Sequence, residues 1–88
     1  MNTEIWKFPL AVTNFQQVSM PVGAKILALQ VQREQPCIWA LVDPVALREN
    51  INVETFGTGH RIDSMEREYI GTYQLVDGNL IFHCFKLL

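Results

Sequence analysis

Residues 69–88 carry the tightest constraint on the fold, because YIGTYQLV and NLIFHCFKLL are two β-rich runs on either side of Asp77-Gly78. An Asp-Gly pair readily takes the positive φ angles of a type I′ turn, the connection whose twist matches two antiparallel strands. The segment therefore reads as a C-terminal β-hairpin. In its second strand Leu80, Phe82 and Cys84 share one face, and Ile81, His83, Phe85 and Leu87 share the other. Neither face is polar, so both are expected to be covered.

The same grammar of short apolar runs closed by turn residues extends upstream. EIWKF ends before Pro9, and FQQVSM runs into Pro21 and Gly23, so both read as edge strands. KILALQVQ alternates, with Leu27, Leu29 and Val31 on one face and Ile26, Ala28 and Gln30 on the other. After the turn REQP, CIWALV is apolar at every position and only six residues long, as suits a strand covered on both faces at the centre of a sheet. In DPVALREN, Asp43 before Pro44 fits a helix N-cap, which predicts a short helical turn over Val45 to Glu49. INVETF alternates Ile51, Val53 and Thr55 against Asn52, Glu54 and Phe56. The fold class is thus mainly β: a single small antiparallel sheet curling toward a sandwich or barrel, with one short helical turn and the terminal hairpin.

With 88 residues, no repeat and no linker, the chain reads as a single domain over 1–88. Apolar residues make up 49% of it, more than so small a core can hide, so association into a homo-oligomer is expected. A formal charge of −2 lacks the basic footprint of a protein that binds duplex nucleic acid. No apolar run approaches the roughly 20 residues of a membrane helix, and MNTEIWKFPL has no basic region followed by an apolar one. These features predict a cytoplasmic protein without membrane contact. Cys37 and Cys84 lie apart, each in an apolar strand, and read as buried free thiols.

FGTGHRI, residues 56–62, holds the densest polar chemistry. It is neither a dinucleotide fingerprint nor a P-loop, for no amphipathic helix follows it. What it offers is a turn after a strand, with outward N–H groups at Gly57, Thr58 and Gly59 and with His60 and Arg61 beside them as donors to an anion. A plain structural turn is the favoured alternative, because glycine at positive φ explains both Gly57 and Gly59 without any ligand. Arg48 and Arg67 are expected near the loop to add charge, and Tyr69 or Trp6 to stack a base. The competing roles are core for the aromatics and a solvated face for the charges.

Catalysis finds little support. His83 lies between Phe82 and Cys84 and is expected to be a core or interface histidine satisfied by backbone, while His60 could pair only locally, with Asp63 or Ser64. The carboxylates fall in polar stretches, and the two histidines and two cysteines lack metal-ligand spacing. The chain is read as a non-enzyme without cofactor or metal.

From end to end, IWKFPL, MPVGAKIL, CIWALVDP, FGTGHRI, YIGTYQL and LIFHCF resemble a family of small proteins encoded by tailed phages and prophages, with MPVGAKIL, WALVDP and GTGH the most specific pieces. That resemblance implies a phage accessory protein in the host cytoplasm, a class that often sequesters a nucleotide signal of host defence or occludes a host protein. Combined with the residues, it implies a homo-oligomer that binds a small anionic, cyclic nucleotide near the glycine loop. The alternative is a protein-interaction module that blocks a host protein or serves in the virion.

Overall fold

The computed structural model describes residues 2–88, and its strands fall into two antiparallel sheets. The strands are β1 (Glu4–Pro9), β2 (Phe15–Pro21), β3 (Lys25–Gln32), β4 (Gln35–Val42), β5 (Arg48–Gly57), β6 (Arg67–Leu75) and β7 (Leu80–Leu87). One sheet has the order β1-β4-β3 and the other β2-β5-β7-β6. The chain is thus mainly β and antiparallel as its periodicity predicts, but it divides its strands between two packed layers that do not close into a barrel.

The core between the layers is built from the inward parity of each strand. Ile38, Ala40 and Val42 of β4 meet Ile51 and Val53 of β5, with Phe8, Val18, Met20, Leu29, Tyr73 and Cys84 around them. The all-apolar run of β4 is central, as read from its sequence, and its inward side chains are fully buried. β1 and β2 are edge strands. Along β5, Ile51, Val53 and Thr55 are buried, in keeping with the alternation of INVETF.

Two bulges break the simple alternation. The β3–β4 register shifts between Ile26 and Ala28, and the β6–β7 register shifts between Tyr69 and Gly71. An extra residue in a strand reverses the parity of everything beyond it. Ile26 therefore joins Leu29 and Val31 against the core, while Leu27, expected on their face, is expelled to solvent at 47% exposure. Gly71 then meets Leu29 across the layers: a Cβ on Gly71 would lie 3.0 Å from Leu29 Cβ.

The turns follow the chemistry of their residues. At the terminal hairpin Asp77 and Gly78 have φ of 52° and 85°, and Asn79 N–H donates to Val76 O at 3.0 Å, which is the type I′ turn read from the sequence. The helical turn expected after Asp43 does not form. Asp43 Oδ1 accepts from Val45 N–H and its carbonyl from Ala46 N–H, each at 3.1 Å, which closes an Asx turn, and β5 already begins at Arg48. With only four residues before the strand starts, there is no room for helical bonds to propagate.

Candidate functional site

The glycine segment leaves β5 as a tight turn on the outer face of the four-stranded sheet. His60 N–H donates to Gly57 O at 3.1 Å, and Gly59 sits at φ 88°, the third position of a type II turn, where a side chain is strained. Gly57, unlike Gly59, is not at positive φ, and its place is set by its contact with the His60 ring. Its N–H donates to His60 Nδ1 at 3.3 Å, and a Cβ there would fall 2.9 Å from His60 Cε1. His60 is thus satisfied by the turn itself and not by Asp63 or Ser64. With Nδ1 accepting, the ring proton resides on Nε2, which is left as a donor.

Beneath the turn, His83 is the centre of a side-chain relay that the sequence does not reveal. Its Nε2 shares a hydrogen bond of 2.7 Å with Thr58 Oγ1, and its Nδ1 one of 3.0 Å with Thr72 Oγ1, which bonds in turn to Tyr69 Oη. The histidine is therefore satisfied by hydroxyls and not by backbone. A neutral imidazole has one donor and one acceptor, and a hydroxyl is both, so either tautomer completes the chain. The relay joins β7, β6 and the glycine turn. Its absence from the sequence reading has a simple cause: Thr72 faces His83 only through the β6–β7 register.

Around the relay the outer face is aromatic. Phe56 and Phe85 stand 5.9 Å apart edge to face, and Tyr69 lies 5.5 Å from Phe85. This face of β7 is half-buried, so the expected full cover is supplied only in part, by the loop between β5 and β6. A concavity of about 220 Å³ opens between the turn, Ile62, His83 and the two phenylalanines. On the other side of the turn a second, of about 300 Å³, is bounded by His60, Asn79 and Phe82. The glycine turn is the wall between them.

The arginines expected at this site separate. Arg61 is exposed and makes no hydrogen bond or ion pair among the described residues. Arg67 is near but occupied. Its Nε donates to Glu54 Oε1 at 2.7 Å, its other nitrogens to Asp63 Oδ1 and to the carbonyls of Asp63 and Met65, and its guanidinium lies 5.3 Å over the Phe56 ring. Hydrogen bonding to Glu54 raises its pKa. The Asp63 carboxyl is held below its ordinary range, first by the Met65 N–H and then by Arg67. Arg67 is the clasp of the loop rather than a free donor.

Arg48 and Trp6 do not belong here at all. Arg48 opens β5 and Gly57 closes it, nine residues or about 30 Å away along the strand. There Arg48 donates to the Ser19 hydroxyl at 2.9 Å and lies 5.8 Å over Trp6, whose indole N–H bonds Glu4. That cluster ties β5 and β2 of one sheet to β1 of the other. Arg48 and Trp6 were expected beside the glycine loop; the length of β5 sets them apart from it.

Among the described residues no group of three or more His, Cys, Asp or Glu converges on a point where a metal would sit. Both cysteines are buried and free, and Cys84 Sγ lies 3.3 Å from Thr55 Oγ1. Among the described residues no helix is long and apolar enough to cross a membrane.

Fold and site together define a small two-sheet β domain that carries a glycine turn over a histidine–threonine relay. Over residues 1–88 the sequence matches the model of a domain of unknown function, DUF7352, and the chain belongs to that family. Neither the curated proteins nor the solved structures include a significant match.

Proposed function

We propose that this chain is a non-catalytic binding domain that takes a small anionic ligand of the nucleotide class at the glycine turn. One observation carries the proposal: the exposed turn that bears Thr58, His60 and Arg61 stands beside the aromatic rings of the sheet's outer face. Thr58, the Nε2–H of His60 and the unengaged Arg61 supply the donors, and Tyr69, 58% exposed beside Phe85, supplies a ring for a base. Catalysis is not part of the proposal, because His83 is oriented by a threonine hydroxyl and not by a carboxylate that would stabilise an imidazolium.

Self-association fits the shape of the chain. It exposes 5938 Å² at a mass of 10.1 kDa, whereas a monomer of that mass is expected to expose about 5300 Å². The excess of roughly 600 Å² is of the order of one partner's share of a small interface. With the resemblance to tailed-phage proteins, this supports an accessory role in the host cytoplasm in which an oligomer sequesters a cyclic nucleotide signal.

The test is native mass spectrometry and thermal melting with linear and cyclic nucleotides. A sequestering oligomer retains nucleotide mass and melts higher as ligand concentration rises. Arg61→Ala and His60→Ala lower affinity; unchanged affinity in both overturns the site.

A second reading is favoured by the open edges of both sheets. β1, β2, β3 and β6 each pair on one side only, and such edges accept a strand from another protein. An interaction module of that kind shows no thermal response to any nucleotide.

A further inference from the structure

CIWALV of β4 has the composition of a strand covered on both faces, and the fold covers only one of them. Its inward residues Ile38, Ala40 and Val42 are fully buried, whereas Trp39 and Leu41 project from the outer face of the three-stranded sheet and are only half-buried. The registers set Ile5 of β1 opposite Leu41 and Ala28 of β3 opposite Trp39 on that same face, and the β3 bulge adds Leu27 beside them. Ile5 is 61% exposed, and Leu27 is nearly as open. The outward face of an antiparallel sheet ordinarily carries polar residues. Here its centre is an apolar patch with an indole in the middle, the side chain that most often anchors a protein interface.

The charges of this face have one sign. Lys7 stands opposite Trp39 and Lys25 opposite Leu41, so both share the outward parity. No outward position of β1, β3 or β4 carries a carboxylate, and Asp43, just past β4, is engaged in its own Asx turn. Two lysines and no acid make this a positive face on a chain whose formal net charge is −2. Neither lysine makes an ion pair among the described residues. Lys7 Nζ donates instead to Gln32 Oε1 at 2.9 Å, and by register the line from β1 to β3 between them passes over the buried Cys37 of β4. The Lys7–Gln32 strap closes one end of the patch, and Lys25 stands at the other.

The patch has the dimensions of one helix. The outer strands of a three-stranded sheet lie about 10 Å apart, and Cys37 to Leu41 spans about 13 Å, which match the width of an α-helix and somewhat more than two of its turns. We infer that this face docks an amphipathic helix of a partner protein, with its apolar stripe on Trp39 and Leu41 and its carboxylates toward Lys7 and Lys25. Charge complementarity selects this occupant over a second copy, which would set two lysine-bearing faces together with no carboxylate on either. The face belongs to the sheet opposite the one that carries the glycine turn, so the inference does not rest on nucleotide binding. It also differs from pairing at the open sheet edges, because side chains and not backbone groups make the contact.

The probe is a synthetic helical peptide with leucines at i, i+3, i+4 and i+7 and glutamates bordering that stripe, and its comparator carries lysines in place of the glutamates. Each is titrated into the full chain and followed by backbone amide and indole N–H shifts. The expected result is saturable shifts at residues 5, 27, 39 and 41, with binding of the lysine peptide at least about tenfold weaker. Trp39→Thr, which keeps a β-branched residue in the strand, is expected to lose about tenfold in affinity for the glutamate peptide, and Leu41→Thr serves if that variant does not fold. Lys7→Glu combined with Lys25→Glu is expected to reverse the preference between the two peptides. Absent saturation, equal binding of the two peptides, shifts confined to residues 57–62, or a preference unchanged by the charge reversal overturns the inference. So does unchanged affinity in both threonine variants. A dimer of the native chain, seen by sedimentation, that dissociates in Trp39→Thr overturns it as well, since a second copy would then be the occupant.

Discussion

Thr58 Oγ1 lies 2.7 Å from His83 Nε2, so a hydroxyl of the glycine turn is pinned to the centre of the four-stranded sheet. Thr58→Val keeps the shape and removes the bond. It is expected to cost about 1 kcal/mol, the usual net value of one hydrogen bond. Because His83 bonds Thr72 through its other nitrogen, Thr58→Val and Thr72→Val are expected to be non-additive, with a coupling of about 0.5 kcal/mol or more in a double-mutant cycle by chemical denaturation. Strict additivity would mean that the relay is two independent contacts.

Arg67 fixes the loop between β5 and β6 from within. Arg67→Ala is expected to release residues 58–66 while the core strands hold, seen as amide exchange at least about tenfold faster in the loop and unchanged at Val53 and Cys84.

Acid is expected to loosen the same clasp through Asp63. Its carboxyl is held below the ordinary value of 3.8, so its contribution is fully present above that pH and is lost as pH falls through the lowered folded pKa. Loop exchange should therefore be independent of Asp63 protonation from pH 5 to 8, rise below about pH 4, and lose that acid response in Asp63→Asn.

Strand identity was legible in the sequence wherever local pattern decides it. INVETF alternates and is a strand with the predicted face inward, and Asp77-Gly78 makes the predicted turn. What escaped was whatever depends on the pairing of distant residues. Leu27 faces solvent because a bulge, set by the β3–β4 register, shifts parity by one. Arg48 and Trp6 fell out of the site because two ends of a ten-residue strand cannot meet. The His83 relay required Thr72 and Thr58 to arrive from a neighbouring strand and a turn, and nothing in LIFHCF announces either.

Tyr73 places its hydroxyl in the core with no hydrogen-bond partner among the described residues, and burial pushes its pKa up to about 12. Tyr73→Phe removes an unsatisfied polar atom and is expected to be neutral or stabilising by up to about 1 kcal/mol. Since the folded pKa lies above the ordinary 10.0, the proton is held more tightly in the fold. Stability is full below pH 10 and falls between pH 10 and about 12, by roughly 1 kcal/mol per pH unit. Denaturation across that range should show the fall in the native chain, beyond whatever part of it persists in Tyr73→Phe.

Gly71 is where the layers touch, and its lack of a side chain sets their spacing. An added Cβ would lie 3.0 Å from Leu29 Cβ and 3.3 Å from Leu29 Cδ2, tighter than packed atoms tolerate, and the first of these belongs to the rigid base of the side chain. Gly71→Ala is therefore expected to destabilise by about 1–3 kcal/mol through overpacking. Leu29→Ala alone leaves a cavity and costs about 2–5 kcal/mol. Removing the leucine's outer atoms does not clear its Cβ, so the double variant recovers only the part of the Gly71→Ala cost due to Cδ2. Full recovery in a double-mutant cycle would show that the sheets move apart freely at this contact.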